Sequence, residues 1–316
     1  MTPTTEKKVI RGVVDIGTNS VKLLIARTDG AVVAPVYEDS VQTRLGAGFY
    51  DTGRLQAEAI LRTQEVVAGF LAEGRRHEAQ SMRILATSAA REAENGAELV
   101  RAIHDAGGRL EIIEGSREAD LVYAGVASQN ALVGLPLLVV DVGGGSTEFI
   151  VAEAGKVLAS GSFALGTVRQ LSRMNLPDPP GDAALATCRE SLNSFLVESV
   201  VPEILPVIQQ MGARPKAVVG TGGTTTFLGM IELATDTFDR DRLERIDFNR
   251  AEHEELTRRL WRMSMDERRQ LSGLPSNRAD VILFGAAIFL AIMDVFELDR
   301  LRVSTRGVRF GAMLEN

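Results

Sequence analysis

The sequence predicts an α/β protein built from two related domains, and three observations lead there. Short runs rich in Val and Ile alternate with longer stretches of helical period. The hexapeptide Asp15-Ile-Gly-Thr-Asn-Ser20 returns 126 positions later as Asp141-Val-Gly-Gly-Gly-Ser146. At 316 residues the chain is also long enough for roughly two domains. Both copies of the hexapeptide read strand, acid, small-residue turn, serine, strand, which predicts two similar halves facing each other across a cleft.

Taken in order, residues 11–15 and 22–26 are the strands of the first hairpin, joined by Gly17-Thr-Asn-Ser20. Helix is predicted over 55–73, strand over 82–86, helix over 95–106, strand over 110–113 and helix over 116–128. Residues 128–134 form a crossing, after which 137–141 and 148–152 are the strands of the second hairpin. Pro177-Asp-Pro-Pro-Gly181 marks a loop, and residues 182–211 are helical until Pro202 and Pro206 break the pattern. Residues 217–220 form a strand running into a third glycine turn, with a helix from about Thr225. Acid and base interleave over 239–269, the mark of solvated helix faces. The longest apolar run, residues 281–293, falls short of the roughly 20 residues that span a bilayer. As a helix it is apolar on every side and belongs in a core. The expected domains are 1–127, joined by a C-terminal helix of about 306–316, and 128–305.

Lys plus Arg number 35 against 42 Asp plus Glu, a net charge of −7. A field of that sign excludes binding long nucleic acid by general charge attraction, so a polyanion would need a local site. One cysteine, Cys188, excludes an intramolecular disulfide and argues against structural zinc. The lysines near the start are followed by no apolar signal segment, so the expected location is cytoplasmic. His77, His104 and His253 stand in polar contexts and are expected at the surface, which disfavours a Ser-His-Asp or zinc mechanism. Trp261 reads as packing.

Chemistry concentrates at the glycine turns. Turns of Gly, Ser and Thr gather backbone amides into a nest for phosphate oxygens. Gly143-Gly-Gly-Ser146 and Gly220-Thr-Gly-Gly-Thr224 both qualify. Asp15 and Asp141 end strands immediately before such turns, where a carboxylate can hold Mg²⁺ directly or through water. No turn fits the G-x-x-x-x-G-K-[ST] or G-x-G-x-x-G patterns, which disfavours P-loop and Rossmann readings.

These stretches resemble the phosphate-binding fold of actin, Hsp70 and the sugar kinases (ribonuclease H-like domains). They resemble more closely the exopolyphosphatase/guanosine pentaphosphate phosphohydrolase (Ppx/GppA) family. The resemblance rests on Asp15-Ile-Gly-Thr-Asn-Ser-Val-Lys-Leu-Leu-Ile25, Arg44-Leu-Gly-Ala-Gly48, Ala86-Thr-Ser-Ala-Ala-Arg-Glu-Ala-Glu-Asn95 and Ile112-Ile-Glu-Gly-Ser-Arg-Glu-Ala119. It continues through Asp141-Val-Gly-Gly-Gly-Ser-Thr-Glu148, Gly220-Thr-Gly-Gly-Thr224, Arg278-Ala-Asp-Val-Ile282 and Gly307-Val-Arg309.

By that resemblance Glu118 is the catalytic base that activates water. Its place in the first turn of a helix suits an anion. Asp15, Asp141 and Glu148 match the metal-binding acids. Asn19, Arg44, Arg91, Gly143, Gly144, Gly145, Ser146 and Thr147 match phosphate contacts, with Gly222, Gly223 and Arg278 as weaker candidates. The implied activity is Mg²⁺-assisted (or other divalent-cation) release of orthophosphate from inorganic polyphosphate, or hydrolysis of pppGpp at the same kind of bond. The implied partners are one of those two substrates, with no nucleic acid and no membrane; a homodimer is compatible with the sequence. Phe310 stands where the family usually shows Glu. Longer relatives carry an extra HD-type helical domain, so a short two-domain form of lower processivity is expected. Two readings of other classes remain: an ATP-dependent kinase on the same fold, and a non-catalytic (p)ppGpp or polyphosphate sensor.

Overall fold

The computed structural model describes residues 9–29, 32–132 and 134–315. Strands β1 (Val9–Ile16) and β2 (Ser20–Thr28) pair antiparallel about the first turn, where the Gly17 amide donates to the Ser20 carbonyl at 3.0 Å. On one side lies β3 (Val33–Gln42); on the other, β4 (Ser81–Ala86) and β5 (Leu110–Ile112) run parallel to β1. The order is β3-β2-β1-β4-β5. Central β1 is buried without interruption from Gly12 to Ile16, the pattern of a strand covered on both faces.

Helices α1 (Phe49–Thr52), α2 (Ala57–Arg76), α3 (Ser88–Glu92), α4 (Gly96–Asp105) and α5 (Gly115–Ala127) complete this part of the chain. A last helix, α14 (Val308–Leu314), packs on α5 and β1. Gly311 permits that packing, because a Cβ there would overlap the Leu121 carbonyl. Phe310, at the position where Glu was expected, is fully buried. The described residues through Ser128 and from Val308 onward form one unit, and Gln129–Gly307 form the second.

The second unit contains β6 (Leu137–Val142), β7 (Thr147–Glu153), β8 (Lys156–Phe163), β9 (Ala217–Thr221), β10 (Asp247–Asn249) and β11 (Arg300–Val303). Its helices are α6 (Thr167–Arg173), α7 (Gly181–Phe195), α8 (Val201–Gln210), α9 (Gly222–Glu232), α10 (Arg240–Leu243), α11 (Arg250–Arg262), α12 (Met265–Arg269) and α13 (Ile282–Val295). The sheet order is β10-β11-β9-β6-β7-β8. From β8 inward, β8-β7-β6-β9-β11 repeats the order and strand directions of β3-β2-β1-β4-β5. The repeated hexapeptide thus marks a repeated sheet, and each unit is a ribonuclease H-like α/β domain of the actin type.

Several expectations need correction. Strands β3, β8, β10 and β11 were not anticipated; β3 and β8 are half-exposed edge strands, β3 containing Pro35, and β10 and β11 are only 3 and 4 residues long, so none shows clean alternation. Pro202 and Pro206 do not break their helix. Pro202 sits in the first turn of α8, where a missing N–H costs little, and the preceding turn, Leu196–Val200, widens to π geometry. The resulting run Gly181–Gln210 is long and apolar enough to meet a membrane-span criterion by length and composition. One face of it, including Leu185, Leu192, Val200 and Ile204, is nevertheless buried in the core of the second unit.

The charged stretch 239–269 is not wholly solvated. Arg268 is buried and donates to the carbonyls of Leu260 and Met263 at the end of α11, and burial lowers its pKa. His253 is fully buried rather than exposed. Trp261 does pack in the core, its indole N–H donating to the Leu283 carbonyl at 3.1 Å. Residues Ile282 to Met293 of α13 are buried on every side.

Candidate active site

In the first unit, Asp15 lies one residue before the end of central β1 and is largely buried. Its cross-strand neighbour on β2 is Lys22. The turn beyond it is tied to the loop after β3: the Asn19 carbonyl accepts from the Arg44 amide at 3.0 Å, and Asn19 Oδ1 accepts from Gln42 Nε2 at 3.0 Å. Arg44 holds a left-handed backbone, φ 52°, with an exposed residue surface.

Glu118 is the fourth residue of α5 and 6% exposed. Arg91 Nη1, from α3, donates to Glu118 Oε2 at 3.2 Å and to the Ile113 carbonyl at 2.8 Å. The Ile113 amide in turn donates to the Ala86 carbonyl at the end of β4. One end of this chain of contacts is β4 and the other is Glu118 on α5, so the guanidinium is held by the loop anchored to the sheet and the carboxylate by the guanidinium. Asn95, which closes the same motif, is structural: its side chain accepts from the Leu55 amide at 2.8 Å and donates to the Leu55 carbonyl at 3.0 Å.

In the second unit, Asp141 on β6 is the register partner of Glu148 on β7, so both side chains rise from one face of the sheet. The turn between them repeats the first, Gly143 N–H donating to the Ser146 carbonyl at 3.0 Å. Glu148 is buried, and its Oε1 accepts from both Ser146 and Ser162 hydroxyls at 2.7 Å. The start of α6 consumes the carbonyls of the glycine turn. Thr167 N–H donates to Gly143, those of Val168 and Arg169 donate to Gly144, and Arg169 Nε donates to Gly145 at 2.8 Å. The amides of Gly144 and Gly145 donate to no described protein group, which leaves them as a nest for an anion.

The third glycine segment is a strand-to-helix junction, not a turn: α9 begins at Gly222. Gly222 has φ 85°, and a Cβ there would overlap Asp141 Oδ1. Thr221 pairs with Asp141 in the parallel register, and its buried hydroxyl has no hydrogen-bond partner. Asp141, Glu148 and this orphaned hydroxyl form an all-oxygen set of the kind a hard divalent cation accepts. Among the described residues no three His, Cys, Asp or Glu side chains converge.

The expected residues do not all join these groups. Thr147 is fully buried with its hydroxyl donating to the Leu165 carbonyl at 2.5 Å. Arg278 is buried with its guanidinium 5.6 Å from the Phe227 ring centre, and Gly223 also lies against Phe227. Asp15 belongs to the first unit, and Asp141 and Glu148 to the second. Sequence reasoning missed Ser162, Arg169 and Thr221. Thr221 stands inside the Gly220–Thr224 stretch singled out above, without its hydroxyl being given a role, whereas Ser162 and Arg169 leave no such trace.

The profile of the Ppx/GppA phosphatase family matches residues 24–316. Exopolyphosphatase 2 of Mycobacterium tuberculosis is 30% identical over 315 residues, covering 95% of this chain and 96% of that protein. A guanosine-5'-triphosphate,3'-diphosphate pyrophosphatase of Aliivibrio fischeri is 28% identical over 94% of this chain, which spans only 57% of that longer protein. The crystal structure of the Aquifex aeolicus Ppx/GppA family member superposes with a TM-score of 0.79 at 27% identity, covering 98% of this chain and 97% of that one. With that profile matching residues 24–316 and a relative 30% identical over nearly its whole length, the chain belongs to the Ppx/GppA phosphatase family.

Proposed function

We propose that this phosphoanhydride hydrolase, acting in the cytoplasm, releases orthophosphate from the end of inorganic polyphosphate. The observation that carries the reading is the pair Arg91–Glu118, a nearly buried carboxylate oriented by a guanidinium that a loop anchored to the sheet holds. Glu118 takes the proton of the attacking water as its oxygen bonds to the terminal phosphorus. The bridging P–O bond breaks, and the products are orthophosphate and a chain one unit shorter. Arg91 and Arg44 would bind phosphate oxygens, and guanidinium forks match that geometry. The free amides of Gly144 and Gly145 bind the same chemistry without adding charge. Asp15 and Asn19, at the first turn, are the remaining candidates, for the metal and for phosphate respectively.

Asp141 and Glu148, with the Thr221 hydroxyl beside them, would hold Mg²⁺. When bound, the ion neutralises phosphate oxygens and steadies the charge that develops on the leaving group. Ser146 and Ser162 fix the Glu148 carboxylate for that role.

Polyphosphate ranks ahead of pppGpp because the Mycobacterium exopolyphosphatase, at 30% identity, is more similar to this chain than the Aliivibrio guanosine pyrophosphatase at 28%. Glu118→Gln tests the reading: phosphate release should fall about 10²-fold or more with the fold intact. Unchanged turnover sinks it. Comparing kcat/KM for polyphosphate and pppGpp decides the substrate, and phosphorylation of an acceptor by ATP without phosphate release would favour a kinase.

A further inference from the structure

Arg11 stands four residues, about 13 Å, up β1 from Asp15. It lines a cavity of about 560 Å³ with Arg83, Arg117, Ser81, Met313 and Glu315. In the β1–β4 register Arg11 lies opposite Ser81 and Val13 opposite Arg83, so the two arginines rise from one face of the sheet. Arg117 comes from the first turn of α5.

All three guanidiniums turn to one residue. Arg83 Nη1 is 2.7 Å from Glu315 Oε2, Arg117 Nη2 is 2.5 Å from Oε1, and Arg11 Nη1 donates to the Glu315 main-chain carbonyl at 3.3 Å. Arg83 also grips Glu111 through Nε and Nη2 at 3.1 and 3.0 Å. A single part-exposed carboxylate gains little from a third cation, and gathering three guanidiniums carries a repulsive cost. The space beside them is also within the range of small-ligand sites.

The geometry points to a second anion site, in which Glu315 is a built-in competitor for a phosphate group. With Glu315 withdrawn, three arginines face only Glu111, an excess of two positive charges that matches a phosphate dianion. Three guanidinium forks also suit the three oxygens of a terminal phosphate better than the two of a carboxylate. Because Arg117 precedes Glu118 in the same helical turn, a ligand held by Arg117 bears on the turn that carries Glu118. That link to turnover rests on the role proposed above for Glu118; the binding does not.

Titration calorimetry of the full chain with inorganic phosphate, and separately with ADP, tests the site. One binding event should tighten about tenfold in Glu315→Gln, vanish in Arg11→Gln, and persist in Glu118→Gln. Phosphate binding there identifies free phosphate as the ligand; binding of ADP alone identifies a phosphate carried on a nucleotide. Arg11→Gln removes only one long hydrogen bond and should keep the wild-type Tm; Arg83→Gln provides a second loss variant. If no binding event of either probe responds to Glu315→Gln and Arg11→Gln, the site does not exist. Since binding is read without turnover, this outcome is independent of the polyphosphate assay.

Discussion

Arg91 donates to the Glu118 carboxylate and, through the same nitrogen, to the Ile113 carbonyl. A side chain anchored twice in this way holds its partner in one rotamer, so the two should act as a unit. Arg91→Gln is expected to lower kcat on polyphosphate by about 10²-fold, with Arg91→Lys intermediate because an ammonium cannot reproduce the fork. Combined with Glu118→Gln, the second substitution should cost far less than it does alone. Losses that multiply independently would show that the contact is structural only.

Gly222 has no room for a side chain beside Asp141. Gly222→Ala should displace the Asp141 carboxylate, and its φ of 85° adds strain. The expected result is an increase of about tenfold or more in the Mg²⁺ concentration for half-maximal turnover, the usual scale for disturbing a ligand's support. An unchanged Mg²⁺ activation curve would remove Asp141 from the metal site.

His253 gives the fold an acid limit. Its Nε2–H donates to the Ala286 carbonyl at 3.0 Å, while buried Nδ1 has no partner. Burial pushes its pKa down from 6.5 to about 4. Between those values the unfolded chain binds a proton that the native chain refuses. Stability is therefore full above pH 6.5 and declines as pH falls toward 4, by roughly 3 kcal/mol. The difference in Tm between wild type and His253→Asn, followed from pH 7.5 to 4, should shrink as pH falls; a constant difference would contradict the assignment.

Burial pushes the Cys188 thiol up to about 12, so almost no thiolate exists at neutral pH. The native chain should leave a thiol-reactive chromogenic disulfide untouched and titrate one equivalent in denaturant. Rapid reaction of the native chain would show that α7 opens.

What the sequence disclosed follows from what leaves a periodic trace. The hexapeptide repeat disclosed the twin sheets, because a strand–turn–strand with an acid at its corner constrains six consecutive residues. Unbroken apolarity disclosed α13 for the same reason. Edge strands β3 and β8 escaped because water covers part of their faces and tolerates polar residues. The site was legible where neighbours in sequence are neighbours in space, as at Asp141 and Glu148. It was illegible at Ser162, Thr221 and Arg169, which reach that hairpin from β8, β9 and α6. His253 misled because its sequence neighbours are charged while its own side chain points inward from an amphipathic helix.

The first unit takes its final helix from residues 308–314, after the whole of the second unit has been laid down in the chain. Synthesis runs from the N-terminus, and domains tend to fold as they emerge. While Gln129–Gly307 is being made, α5 and β1 still lack the α14 helix that covers them, and the Leu121 carbonyl against which Gly311 packs is uncovered. The unit begun first is thus the one completed last, its α5 face uncovered until residues 308–314 arrive.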